Sequence, residues 1–113
     1  MKKLWPYALS LALALAPPCL AADDAAHIQK LEAMHREAEH LVVLNDFPGA
    51  IRAYQDILFL EPDDETAYAN LGRCYLLRGE YDRAKEAFFN ALDINPENET
   101  AQRGLEKIRN PDA

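Results

Sequence analysis

Apolar side chains recur every three or four residues along most of the chain, which is the spacing of one face of an α-helix. Ala101, Leu105 and Ile108 show this spacing near the C-terminus. The segments 62–64 (Pro-Asp-Asp) and 96–98 (Pro-Glu-Asn) would each end one helix and supply a capping side chain for the next. The pattern therefore predicts an all-α chain with five helices, over about residues 24–44, 48–60, 65–78, 82–94 and 99–109.

The sequence also repeats itself with a period of 34 residues. Residues of similar character coincide at this offset, namely Ala50 with Ala84, Tyr54 with Phe88 and Pro62 with Pro96. A period of this length is typical of stacked pairs of antiparallel helices. Small side chains at such positions let the paired helices approach closely, and aromatic rings fill the space between successive pairs.

These residues resemble the tetratricopeptide repeat family. The second unit, residues 65–98, carries the family's packing residues at Tyr68, Leu71, Gly72, Tyr75, Ala84, Phe88, Ala91 and Pro96. The first unit, residues 31–64, keeps Ala50, Tyr54 and Pro62 and has Ala38 as the small residue of its first helix. The resemblance implies an α-solenoid of antiparallel helix pairs over residues 23–109, with two units, a C-terminal capping helix over 99–109 and a disordered tail over 110–113.

The first 22 residues have a different composition, which predicts an N-terminal signal peptide. A basic start at Met1–Lys3 precedes an apolar stretch at Leu4–Ala16, and the pair Pro17–Pro18 then precedes small residues. We expect cleavage after Ala21 or Ala22 and a periplasmic or secreted mature protein. Two alternatives remain open. One is a membrane anchor that is not cleaved, which is disfavoured because Pro17–Pro18 would break its helix, and the other is lipid attachment at Cys19.

The charge balance disfavours one class of partner. The chain carries 12 basic and 19 acidic side chains, a formal net charge of −7, and loss of Lys2 and Lys3 would make it more acidic still. Nucleic acid is therefore an unsuitable ligand. Cys74 is the one cysteine beyond the signal segment, so an intrachain disulfide cannot form, and its place on a predicted helix favours a packed thiol.

Candidate catalytic and metal-binding residues are few. His35 and His40 lie five residues apart, which turns the second side chain about 140° away from the first on a helix, so they do not form the usual zinc pair. Glu37 and His40 match half of a di-iron motif, but the second half is missing. The sequence also has no phosphate-binding glycine loop or nucleophile elbow. We therefore expect no enzyme activity, no metal and no cofactor.

The resemblance implies a partner-binding surface on the first helix of each unit and on the capping helix. Carried over to this sequence, the residues that would meet a partner are Glu32, His35, Glu39, Val42, Thr66, Ala69, Asn70, Arg73, Leu76, Arg103 and Lys107. Chaperone-binding members hold a terminal carboxylate with Lys and Asn in the first unit and with Lys and Arg in the capping helix. This sequence has His35 and Glu39 at the first pair of positions and Thr100 and Gly104 at the second, so recognition of a chaperone tail is not supported. The groove would suit an extended or helical segment with an apolar anchor.

The function predicted from the sequence is protein–protein interaction, by a periplasmic adaptor or assembly factor that binds a segment of another protein. Two alternatives belong to other classes. One is a structural homo-oligomer that uses the exposed ends of a short helical stack. The other is a metal-binding protein that uses His35 and His40, which the spacing of these residues disfavours.

Overall fold

The computed structural model describes residues 5–112, with side chains from residue 24 onwards. This part of the chain contains five α-helices and no strand. The helices are α1 (Trp5–Val43), α2 (Phe47–Leu60), α3 (Glu65–Leu77), α4 (Tyr81–Ile94) and α5 (Glu99–Arg109). The all-helical prediction is confirmed, and each end of α2 to α5 lies within one residue of its predicted position.

The chain divides into two compact units, Met1–Glu32 and Ala33–Ala113. In the first unit, α1 begins at Trp5 and continues through Pro17–Pro18, so the prediction that the proline pair interrupts the helix is wrong. The fixed φ of proline is close to the helical value, so the backbone can follow the helical path although each proline lacks the N–H that would bond to the preceding turn. Among the described residues, no helix combines the length and apolar character needed to cross a membrane. The predicted signal peptide remains a prediction.

The second unit holds the repeat, and polar side chains fix where its helices begin. Asp46, Asp64 and Asn98 each accept a hydrogen bond from a backbone N–H in the first turn of α2, α3 and α5, at 3.1, 3.0 and 2.9 Å. These bonds satisfy donors that a helix start leaves without a partner inside the helix. Glu65 then accepts from the side-chain amides of Asn95 and Asn98, which ties the start of α3 to the loop before α5.

The ends of α1 and α3 both lie in the second unit and have the same geometry, 34 residues apart in the chain. Asn45 follows α1 with φ 60° and Gly79 follows α3 with φ 77°, both in the left-handed region. At each end, two backbone N–H groups bond back to the last turn, for example from Glu80 to Tyr75 and from Gly79 to Leu76. This is the Schellman arrangement, in which a left-handed residue turns the chain into the following helix.

The core of the second unit is made of small residues packed around aromatic rings. The ring of Phe88 on α4 is fully buried and lies between two glycines, Gly72 on α3 and Gly104 on α5. A β-carbon on Gly72 would lie 2.6 Å from Cδ1 of this ring, and one on Gly104 would overlap its far edge. Alanines surround the ring, at Ala69, Ala84, Ala91 and Ala101. Small side chains thus let three helices meet at one aromatic residue.

Ten of the residues predicted to pack the helices lie at least partly inside the second unit. Ala38, Ala50, Tyr54, Leu71, Gly72, Ala84, Phe88 and Ala91 are buried, and Tyr68 and Tyr75 are half-buried. Pro62 and Pro96 are exposed, in the turns after α2 and α4. In the predicted disordered tail, the backbone N–H of Asn110 bonds to Glu106 and residues 111–112 form a turn, while Ala113 lies outside the described residues.

Candidate partner-binding groove

A groove lies between α3 and α5 in the second unit. Its cavity of about 350 Å³ is lined by Arg73, Leu76 and Leu77 from α3 and by Thr100, Arg103, Gly104 and Lys107 from α5. In both helices these residues are three or four positions apart, so each set lies on one helical face. Gly104 lies directly against the Phe88 ring, because it has no side chain that would hold α5 away from the core.

Three cationic side chains line this groove. Arg73 donates a hydrogen bond to the neutral side-chain oxygen of Asn70, at 3.2 Å. Arg103 pairs with Glu99 at 3.0 Å, but both side chains are about three-quarters exposed, so water screens the pair strongly. Lys107 follows one turn after Arg103 on the same face. In the described part of the chain no carboxylate lines the cavity, which therefore presents positive charge to a ligand.

A second, more apolar cavity adjoins the groove. It measures about 580 Å³ and is lined by Leu76, Leu77, Tyr81, Lys107, Ile108 and Pro111. Leu76, Leu77 and Lys107 line both cavities, so the two form one continuous surface. Leu77 and Tyr81 are each 56% exposed, which is unusual for large apolar side chains so close together. We call the first cavity the basic groove and the second the apolar shelf.

Four of the eleven residues predicted to meet a partner line the basic groove: Arg73, Leu76, Arg103 and Lys107. Thr66 is exposed but lies outside the two cavities. Asn70 is largely buried and supports Arg73 from beside the groove. Ala69, predicted to face a partner, is instead 2% exposed, because it packs into the cluster around Phe88. The prediction that Ala69 meets a partner is therefore wrong.

The remaining predicted residues belong to α1 and do not line either cavity. Glu32 lies in the first unit, and its side chain is exposed. Glu39 is exposed and Val42 is half-buried. His35 is half-buried, and its Nε2–H donates to Oδ2 of Asp64 at 2.8 Å. His35 therefore acts as a link within the second unit, because Asp64 also caps α3 through its other oxygen.

Sequence reasoning did not place Tyr81, Ile108 or Pro111 at the partner-binding surface, although they line the apolar shelf. Tyr81, Ile108 and Pro111 come from α4, α5 and the segment after α5, and the order along the chain gives no indication that they meet. The available signal was helical spacing, since Leu77 lies four residues after Arg73, and Ile108 four residues after Gly104. That spacing would have placed Leu77 and Ile108 beside the groove, but not the tyrosine or the proline.

Two buried titratable side chains lie elsewhere in the core. Tyr54 is 1% exposed, and burial raises its pKa to about 12, with smaller contributions in the same direction from nearby Cys74 and Glu39. Burial likewise raises the pKa of the Cys74 thiol, while nearby Arg73 lowers it by a smaller amount. Both groups therefore keep their protons at neutral pH, which suits packing and not nucleophilic chemistry. Among the described residues, no three His, Cys, Asp or Glu side chains lie close enough together to hold a metal ion.

Comparison with known proteins supports the repeat. A family model described as tetratricopeptide repeat matches residues 35–99. Human tetratricopeptide repeat protein 6 is 36% identical over 61 residues, which cover 50% of this chain and 12% of that protein. Sperm-associated antigen 1 of Rattus norvegicus is 32% identical over 85 residues, which cover 69% of this chain and 10% of that protein. The match thus spans about a tenth of the length of either relative.

Proposed function

Because the chain belongs to the tetratricopeptide repeat family, we propose that it is a periplasmic adaptor or assembly factor that holds a segment of another protein in its basic groove. Tetratricopeptide repeats indicate a protein–protein interaction module, and proteins of this family are typically non-enzymatic scaffolds. The observation that carries the proposal is the convergence of Arg73, Leu76 and Arg103 from two helices on one open cavity.

The basic groove can both orient a peptide segment and bind it. Its walls are two helices fixed on a shared core, so a bound segment need not order the site at its own entropic cost. Leu76 and Leu77 supply apolar area, whereas the cations supply polar contacts at the rim. Such a combination is typical of grooves that take an extended or helical peptide.

Site-specific photo-crosslinking in cells tests the proposal. A photoreactive amino acid at Thr100, inside the basic groove, should capture a defined partner, whereas the same group at exposed Lys85 on α4 should not. Capture from position 100 should be lost when Arg73→Glu and Leu76→Asp are added. Circular dichroism of that variant must show an intact fold. Capture that is equal with and without the two substitutions would show that the groove is not the binding surface.

Export is the second component of this proposal and has its own test. The composition of residues 1–22 supports it, because a basic start, an apolar stretch and small residues follow in the order of a signal peptide. The intact mass of the protein from a periplasmic extract should correspond to a chain that begins at Ala22 or Asp23. A mass that includes Met1–Lys3, or one with lipid on Cys19, would contradict processing at this site.

A structural homo-oligomer is the alternative function, and the exposed apolar side chains favour it. Phe59 at the end of α2 is 87% exposed, and Val43, the last residue of α1, and Leu44 after it are 77% and 60% exposed. Side chains of this kind are often covered by another subunit. Light scattering over a range of concentrations separates the two functions, because an oligomer gains mass with concentration and Phe59→Ser should reverse that gain.

A further inference from the structure

We propose that the partner segment is acidic and carries a large apolar side chain next to its carboxylates, so that the acidic part binds the basic groove and the apolar residue binds the apolar shelf. This inference rests on the proposed function and names the chemistry of its ligand. It is carried by the way the two cavities divide their charge and their apolar surface while they share Leu76, Leu77 and Lys107.

The acidic requirement comes from the cations of the basic groove. Arg103 and Lys107 are four residues apart on α5, and Arg73 faces the same cavity from α3. Arg73 donates a hydrogen bond to Asn70. Because Asn70 is neutral, this contact does not compensate the positive charge of Arg73. Among the described residues, one ion pair occurs in this set, from Arg103 to Glu99, and it is exposed and easily exchanged for a ligand carboxylate. Carboxylates can bind guanidinium groups through two parallel hydrogen bonds.

The ligand is a protein segment and not a nucleic acid because the positive charge is local. The whole chain has a net charge of −7, so a long polyanion would be repelled by the surrounding surface. Salt limits this repulsion to about 8 Å at physiological ionic strength, so a short acidic segment experiences chiefly the three cations nearest to it. The groove thus selects a compact cluster of carboxylates.

The apolar requirement comes from the apolar shelf. Leu77 and Tyr81 each expose more than half of their surface, and Ile108 and Pro111 complete the shelf. Burial of a leucine or phenylalanine here would remove apolar area from water on both partners. Lys107 borders both cavities, so a carboxylate that pairs with Lys107 places the neighbouring residues of the ligand over the shelf. The acidic and apolar groups of the ligand must therefore be close in its sequence.

Fluorescence anisotropy with designed peptides tests the inference on the purified chain. The probe is a short fluorescein-labelled peptide in which a run of glutamates precedes a leucine–phenylalanine pair. Three comparison peptides replace the glutamates with glutamine, the glutamates with lysine, or the leucine and phenylalanine with alanine. We expect the acidic–apolar probe to bind at least about tenfold more tightly than each comparison peptide, and to weaken as salt is added.

Two variants assign the two halves of the ligand to the two cavities. Arg103→Glu with Lys107→Glu should weaken the acidic–apolar probe about tenfold or more and leave the glutamine peptide unchanged. Leu77→Asp should remove the advantage of the leucine–phenylalanine pair. The matched control is Arg52→Glu with Lys85→Glu, which makes the same change of charge on exposed faces of α2 and α4 and should leave binding unaltered.

The outcomes separate this inference from the proposed function. If the glutamine or lysine peptide binds as tightly as the acidic one, the acidic requirement is wrong even if crosslinking from Thr100 depends on the groove. If crosslinking is independent of the groove, the proposed function is wrong, and the inference that rests on it is wrong as well. If no peptide binds, and the chain forms dimers that Arg103→Glu with Lys107→Glu dissociates, the groove holds a second copy and the inference is overturned.

Discussion

The ring of Phe88 occupies the space that a side chain on Gly104 would need. This contact joins α4 to α5, and a neighbouring edge of the same ring packs on Gly72 of α3. An alanine in the middle of a helix is ordinarily more stable than a glycine, by about 1 kcal/mol. At Gly104 the clash with a fully buried ring opposes that gain and should exceed it.

We therefore predict that Gly104→Ala destabilises the protein by about 1 to 3 kcal/mol in urea unfolding. Gln102→Ala, at an exposed site of the same helix, is the control and should change the free energy of unfolding little. Phe88→Leu should relieve part of the clash, so the double variant should be more stable than the sum of the two single effects predicts. Additive effects would contradict direct contact between the two residues.

A second prediction concerns Leu71, which is buried where α3 packs against its neighbours. Leu71→Ala removes apolar contacts and leaves a cavity, so it should cost about 2 to 5 kcal/mol of unfolding free energy. For a domain of this size that is a large share of the total stability. Asp82→Ala, at an exposed site on α4, should cost far less, and equal losses in thermal or urea unfolding would be inconsistent with this packing.

A third prediction concerns Asp64, which serves two partners at once. One of its oxygens caps α3 and the other accepts from His35 of α1. Asp64→Ala should therefore cost more than Asp46→Ala, because Asp46 only caps α2. A lost cap alone costs about 0.5 to 2 kcal/mol. A double-mutant cycle with His35→Ala should isolate the contribution of the second bond, and a coupling energy near zero would show that this bond adds nothing.

The fourth prediction concerns the left-handed residues that end α1 and α3. Gly79→Ala should destabilise the protein by about 1 kcal/mol, and the cause is backbone strain alone because no atom lies within 4 Å of the added β-carbon. Asn45→Gly should instead stabilise slightly, since Asn45 has φ 60° and glycine adopts this value without strain. Chemical unfolding of both variants measures these opposite signs. The same sign for both would argue against this account.

A fifth prediction concerns alkaline pH. The folded protein holds the Tyr54 proton more tightly than the unfolded chain does, since burial raises this pKa from 10.0 to about 12. The stabilisation is complete below the ordinary pKa of the phenol and is lost as pH rises toward the folded value. Ionisation of Tyr54 should thus lower the free energy of unfolding by about 1 kcal/mol by about pH 11. Cys74, whose pKa is also raised, should add to this loss.

Urea unfolding at a series of alkaline pH values measures this loss. Tyr54→Phe removes the titrating phenol and should flatten the dependence, although it also changes the stability at neutral pH. Tyr81→Phe, at an exposed site, is the matched control and should keep the steep dependence. An unchanged slope in Tyr54→Phe would show that other groups are responsible for the alkaline loss.

The helices of the second unit could be predicted because their limits depend on local signals. Asp64 and Asn98 each cap a helix by accepting a hydrogen bond from the backbone N–H three residues later, at the starts of α3 and α5. Pro62 and Pro96 precede these caps by two residues. The start of α1 could not be placed, because the sequence signal at Pro17–Pro18 favoured an interruption. Local rules are thus sufficient where the cap and the helix are adjacent.

The site was predicted less completely because it depends on contacts between distant residues. Arg73, Leu76, Arg103 and Lys107 share helical faces, and the resemblance to the repeat family placed those faces together. His35 lies 29 residues from the carboxylate that engages it, and no pattern along the chain indicates that bond. Ala69 was misplaced for a similar reason, since only the packed structure shows the Phe88 cluster that buries it.

The position of Phe88 between glycines of two different helices also affects how the molecule loses its structure. A terminal helix usually frays because it can detach without disturbing its neighbours. Here, detachment of α5 would expose a large aromatic ring to water and would remove one of the two surfaces that confine it. The last three helices should therefore open as a single cooperative block, with amide hydrogens in α5 exchanging at rates close to those of α3 and α4.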